Sequence, residues 1–89
     1  MVYCISYDLR KPGRNYDSLI EYVKGLGPWC HALESTWYVV TNATAEAIRD
    51  GAIGHIDAND AILVNGATAP GAWRGLPKDI SEWLVANLK

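Results

Sequence analysis

Eighty-nine residues are enough for one hydrophobic core and too few for two. A chain that is 49% apolar and 20% charged is neither disordered, nor collagen-like, nor a membrane span. Ten acidic against eight basic residues leave a net charge of -2, which argues against gripping any phosphate backbone through bulk positive charge.

In chain order, residues 2 to 9 (VYCISYDL) alternate large side chains (Tyr3, Ile5, Tyr7, Leu9) with smaller ones and predict a first strand. The basic loop Arg10-Lys11-Pro12-Gly13-Arg14 breaks it. Tyr16, Leu19, Ile20, Val23 and Leu26 then recur at helical spacing up to Gly27-Pro28. Asp17 near the start of that helix and Lys24 near its end suit the helix dipole. Residues 29 to 41 (WCHALESTWYVVT) predict two strands joined around Glu34-Ser35-Thr36.

Thr44 is placed to cap a second helix carrying Ala45, Ile48 and Ala52, although Gly51 and Gly54 would each cost about 1 kcal/mol against alanine. Asp57 to Asp60 predicts a turn, and Ala61 to Val64 a buried strand. Residues 66 to 77, rich in Gly, Ala and Pro, predict loop or edge strand around Trp73. Ile80, Trp83, Leu84 and Leu88 mark a third helix behind Pro77. Neither a repeat nor a linker interrupts this single domain of residues 1–89.

The order strand, helix, strand, strand, helix, strand predicts an α+β ferredoxin-like βαββαβ sandwich with an additional C-terminal helix. In that topology the end of strand one lies beside the starts of strands three and four. Asp8, Ser35-Thr36, Asp57 and Asp60 therefore converge at one edge of the sheet, together with Arg10, Lys11 and Arg14. If Tyr3, Ile5 and Tyr7 face the helices, Cys4, Ser6 and Asp8 face the uncovered side, where such folds commonly pair, so a homodimer is expected. The tail, residues 66–89, can cover that side within the chain or reach across to a partner.

VYCISYDL with its terminal Tyr-Asp-Leu, the helix closed by GLGPW, the LESTWYVVT segment and HIDANDAILV together resemble the small CRISPR-associated protein two and the virulence-associated protein D ribonucleases. The chain is also similar, over nearly its whole length including the aromatic tail, to short bacterial and phage proteins labelled SinR-like. The resemblance implies a homodimer in which Asp8, at the end of strand one, faces its counterpart and binds a divalent metal, Mg or Mn, for phosphodiester cleavage of RNA. It places Ser35 at a position that often carries a small hydroxyl residue, as a second catalytic candidate. Arg10, Lys11 and Arg14 are then candidates for holding phosphate at a helix N-terminus. Trp73 and Arg74, an aromatic and a cation on a Gly-rich loop, are candidates for nucleic-acid contact. The alternative is a non-catalytic homodimeric binding or adaptor protein of phage or mobile-element origin, with an unknown protein partner.

Other patterns read more simply. Asp57, Asn59 and Asp60 lack the glycine and distal glutamate of a calcium loop and suit a turn and cap. Cys4, Cys30, His31 and His55 lack the paired spacing of a zinc site. A Cys30–His31 pair would point to opposite faces of a strand. The tryptophans, Trp73 excepted, are expected in the core. Two cysteines without a CxxC pair and no secretion signal fit a reduced, cytoplasmic chain, while a Cys4–Cys30 bridge is left open.

Overall fold

The computed structural model describes residues 1–11 and 13–89; Pro12 of the basic loop lies outside the described residues. Its elements are β1 (Val2–Asp8), α1 (Asp17–Lys24), β2 (Trp29–Leu33), β3 (Thr36–Val40), α2 (Ala45–Ile53), β4 (Ala61–Gly66) and α3 (Lys78–Asn87). The four strands form one antiparallel sheet in the order β2-β3-β1-β4. This is the ferredoxin-like arrangement, with a third helix added.

Alternation along β1 sorts its side chains as the sequence predicts. Tyr3, Ile5 and Tyr7 are buried, whereas Cys4 and Ser6 are half-buried and Asp8 is exposed. Tyr3, Ile5 and Tyr7 join Trp37 and Val39 of β3, Leu19 and Val23 of α1, and Ile48 and Ala52 of α2 in the main core. The Trp37 indole N–H donates to the Tyr7 hydroxyl at 2.9 Å, so the largest core ring is buried without an unmet polar atom.

Two glycines serve close approaches. Gly27, which ends the turn after α1, has φ +155°, and a Cβ there would collide with the Val40 carbonyl oxygen. Gly51 in α2 is the second. A Cβ at that position would strike the Tyr22 hydroxyl, which donates to the Ile48 carbonyl at 3.0 Å. The helix propensity given up at Gly51 thus lets α1 and α2 meet. Thr44 caps α2 as expected, its hydroxyl oxygen accepting from the Ala47 N–H at 3.1 Å.

The outer face of the sheet has a second, smaller core. Leu84 of α3 packs on Cys30 and Ala32 of β2, with Tyr38, Leu76, Ile80, Trp83 and Leu88 around them. Of the two placements open to the tail, α3 takes the one on its own β2. It covers the β2 side and leaves the β1 and β4 side open, where Leu63 lies beside Ser6 and is 62% exposed.

One expectation is corrected. Trp29 is 40% exposed and so is not core, because β2 is an edge strand whose helix-side positions, Trp29 and His31, are both exposed. Trp37 is the fully buried tryptophan, and the His31 ring stacks on it at 3.8 Å. Cys4 and Cys30 are free thiols with Tyr38 of β3 between them in the register, so no bridge forms. Among the described residues no helix is long and apolar enough to cross a membrane.

Candidate functional site

The C-terminal end of β1 is where the predicted residues meet. Because β1 is central, Asp8 pairs with Ala61 at the start of β4, while the Tyr7 N–H donates to the Ser35 carbonyl at 3.1 Å in the β2–β3 turn. Arg10, just past the end of β1, meets the turn that precedes β4.

That turn is organised by two carboxylates. The Asp60 N–H donates to the Asp57 carbonyl at 3.0 Å, and Asp60 Oδ2 accepts from the Asp57 N–H at 2.8 Å. Asp60 also takes the Arg10 N–H on Oδ1 at 2.6 Å and the Tyr16 hydroxyl on Oδ2 at 2.6 Å. Desolvation alone would raise the Asp60 carboxyl. The N–H of Arg10, the Tyr16 hydroxyl, the N–H of Asp57 and the charge of Arg14 outweigh it and hold the group below the ordinary aspartate value. Desolvation and the bond to Asp60 push the Tyr16 hydroxyl up. Asp60 thus ties β1, α1 and β4 together.

Asp57 collects the cations. Its Oδ1 lies 3.4 Å from Lys11 Nζ and 4.0 Å from Arg14 Nη1, and Arg14 also sits over the Tyr16 ring at 5.4 Å. The loop proposed to hold phosphate therefore folds onto a carboxylate of its own chain. Sequence position alone places Lys11 and Asp57 46 residues apart, and only the crossover of β4 beside β1 makes them neighbours.

Asp8 is different. Its side chain is 74% exposed, and its one described ionic contact is to Arg10 Nη2 at 3.5 Å. It lies on the open half of the outer face, lining a shallow recess with Ser6, Ala61 and Leu63. Among the described residues no three His, Cys, Asp or Glu side chains group to hold a metal ion. At this end of the sheet, among the described residues, Asp8 is the carboxylate most open to a cation, held only by its 3.5 Å contact with Arg10. Such a donor set suits Mg²⁺, which keeps most of its waters and needs few protein ligands, when a second carboxylate comes from another chain.

The hydroxyls beside Asp8 include two that the sequence places on this face and at this edge without marking them as site residues. Ser6 Oγ and Thr36 Oγ1 are 3.3 Å apart across β1 and β3, and both face the outer side of the sheet. Their alternation with Tyr7 and Trp37 was the available signal. Ser35, the predicted hydroxyl, is half-buried in the turn and meets β1 through its backbone.

Trp73 and Arg74 stand apart from the basic loop. The Trp73 indole N–H donates to Ser81 Oγ at 2.9 Å, tying the loop before α3 to that helix. Both residues line a groove with Leu33, Thr36 and Tyr38. The predicted site residues thus form two groups, with Ser6 and Thr36 between them.

No protein-family model matches the chain, and neither does any curated protein. Its structure is similar to the crystal structure of a hypothetical protein TT1823 from Thermus thermophilus, with TM-score 0.64, 19% identity, and 85% of this chain and 93% of that chain covered. That likeness establishes the fold. Function has to be argued from the site.

Proposed function

We propose that the chain is one protomer of a homodimeric, metal-dependent endoribonuclease, with Asp8 of each copy contributing to one shared divalent site. The observation that carries this reading is the contrast among the carboxylates at the end of β1. Asp60 is saturated by structural hydrogen bonds and Asp57 by cations, whereas Asp8 is exposed on the open half of the sheet. The resemblance of VYCISYDL and its surroundings to CRISPR-associated protein two and the virulence-associated protein D ribonucleases supports the same residue.

Each group has a role in this reading. Asp8 is a metal ligand; a bound Mg²⁺ or Mn²⁺ would supply charge neutralisation at the phosphate and acidify a bound water. Arg10, 60% exposed at its side chain and only loosely held by Asp8, can turn to a phosphate oxygen. Lys11, 59% exposed at its side chain and 3.4 Å from Asp57, can swing from that carboxylate to a phosphate, whereas Arg14, 4.0 Å from the same half-buried Asp57, adds positive charge beside it. Ser35 sits at the same corner, held to β1 by its carbonyl, and its hydroxyl is the group this reading directs at the RNA phosphate.

The test is cleavage of mixed RNA and DNA substrates with Mg²⁺ or Mn²⁺. Metal-dependent cutting of RNA is expected, lost in EDTA and reduced at least a hundredfold in Asp8→Asn. Cutting that survives Asp8→Asn would overturn the assignment. The second reading, a non-catalytic dimeric binding protein, is favoured by the occupation of Lys11 and Arg14 by Asp57. A folded dimer that cuts nothing would select it.

A further inference from the structure

The groove between the loop at residues 71–76 and the outer face of the sheet is a separate feature. Its volume is about 300 Å³, and Trp73, Tyr38, Leu33 and Leu84 give it apolar and aromatic walls, with Thr36 and Arg74 as polar members. A register shift between His31 and Leu33 opposes Leu33 to Thr36, so both line this side. Trp73 is held by its bond to Ser81 yet remains 37% exposed.

Arg74 differs from the other arginines. Arg10, Arg14 and Arg49 each meet a carboxylate, whereas Arg74 meets none among the described residues. A free cation beside two aromatic side chains in a recess of this size fits a ligand with one planar ring and one anionic group. The groove also adjoins the Asp8 recess, because Thr36 lines one, Ser6 lines the other, and their hydroxyls are 3.3 Å apart.

We propose that this groove takes one unstacked base of a single-stranded RNA, packed against Trp73 and Tyr38, with the adjoining phosphate on Arg74. The choice of RNA rests on the ribonuclease reading; the aromatic walls and the cation are independent of it. A strand seated this way continues over Thr36 and Ser6 towards Asp8. The groove would then fix which phosphate reaches the metal, and base preference would be set several ångströms from the cut.

The test uses the chain labelled with ¹⁵N at its four tryptophans, with the Trp73 indole resonance assigned by its loss in Trp73→Phe. Each of the four ribonucleoside 5′-monophosphates is titrated in EDTA, alongside inorganic phosphate and a carboxylate-ended tetrapeptide. The nucleotides should move the Trp73 resonance saturably, phosphate alone should not, and Arg74→Ala, an exposed position, should weaken nucleotide binding about tenfold. An unmoved Trp73, an equal response to phosphate, unchanged affinity in Arg74→Ala, or tighter binding of the tetrapeptide would overturn the proposal. Because no cleavage runs in EDTA, a chain that binds nucleotide here yet never cuts RNA would overturn the role of Asp8 and sustain the groove.

Discussion

The outer face of the sheet is divided between a half sealed by α3 and a half left open, and the division follows the side chains the strands present. On the sealed half β2 offers Cys30 and Ala32, which with Leu84 are 5%, 8% and 3% exposed. On the open half β1 and β4 offer Ser6, Asp8 and Leu63, and among the described residues no helix lies over them. A carboxylate sealed under a helix without a partner would carry a large desolvation cost. Small apolar residues invite a cover, whereas Ser6 and Asp8 keep their half available for a ligand or a second chain.

Breaking the sealed half should have the largest effect. Leu84→Ala is expected to cost about 3 kcal/mol, within the range for buried leucines, measured by urea denaturation. The other large side chains of the smaller core, Tyr38, Leu76, Ile80, Trp83 and Leu88, are only partly buried and lie around Leu84 rather than in its place, so the same variant should make Cys30 accessible to alkylation.

A smaller effect separates the halves by pH. Burial, with a lesser contribution from Asp79, pushes the Cys30 thiol up to about 11. A group whose pKa is raised on folding contributes its stability in full below the unfolded value, near 9, and loses it as pH climbs towards about 11. Thermal melts should therefore show Cys30→Ala less sensitive than the parent chain across that window. Iodoacetamide at pH 8 should modify half-buried Cys4 before Cys30.

The smallest effects lie at the rim of the open half. Asp60→Asn should lower Tm, while Asp8→Asn leaves it unchanged, since only Asp60 holds backbone and hydroxyl donors. Asp60 is depressed on folding, so its contribution is present above the ordinary aspartate range. It disappears as pH falls through the depressed value, and the melts of the parent and Asp60→Asn should converge in acid.

Much of the fold was legible because it rests on local pattern. The alternation of β1, the Thr44 cap and the Ile48–Ala52 spacing each specify their element within a few residues. The convergence of Asp8, Ser35 and Asp57–Asp60 followed from topology, since one strand order brings those ends together. Two things were not legible. Whether α3 would fold back depended on a match between Leu84 and the small residues Cys30 and Ala32, a long-range fit that no periodicity encodes. The capture of Lys11 and Arg14 by Asp57 depended on side-chain reach across two loops, so the basic loop read as free cations. Trp29 misled for a related reason: its β-propensity is real, but edge position decided its exposure.

The proposal that Asp8 of two chains shares one ion is tested most directly by calorimetric titration of the chain with Mn²⁺. The account predicts one ion bound per two chains, with binding lost in Asp8→Asn while Tm is retained. One ion per chain, or undiminished binding in Asp8→Asn, would contradict it.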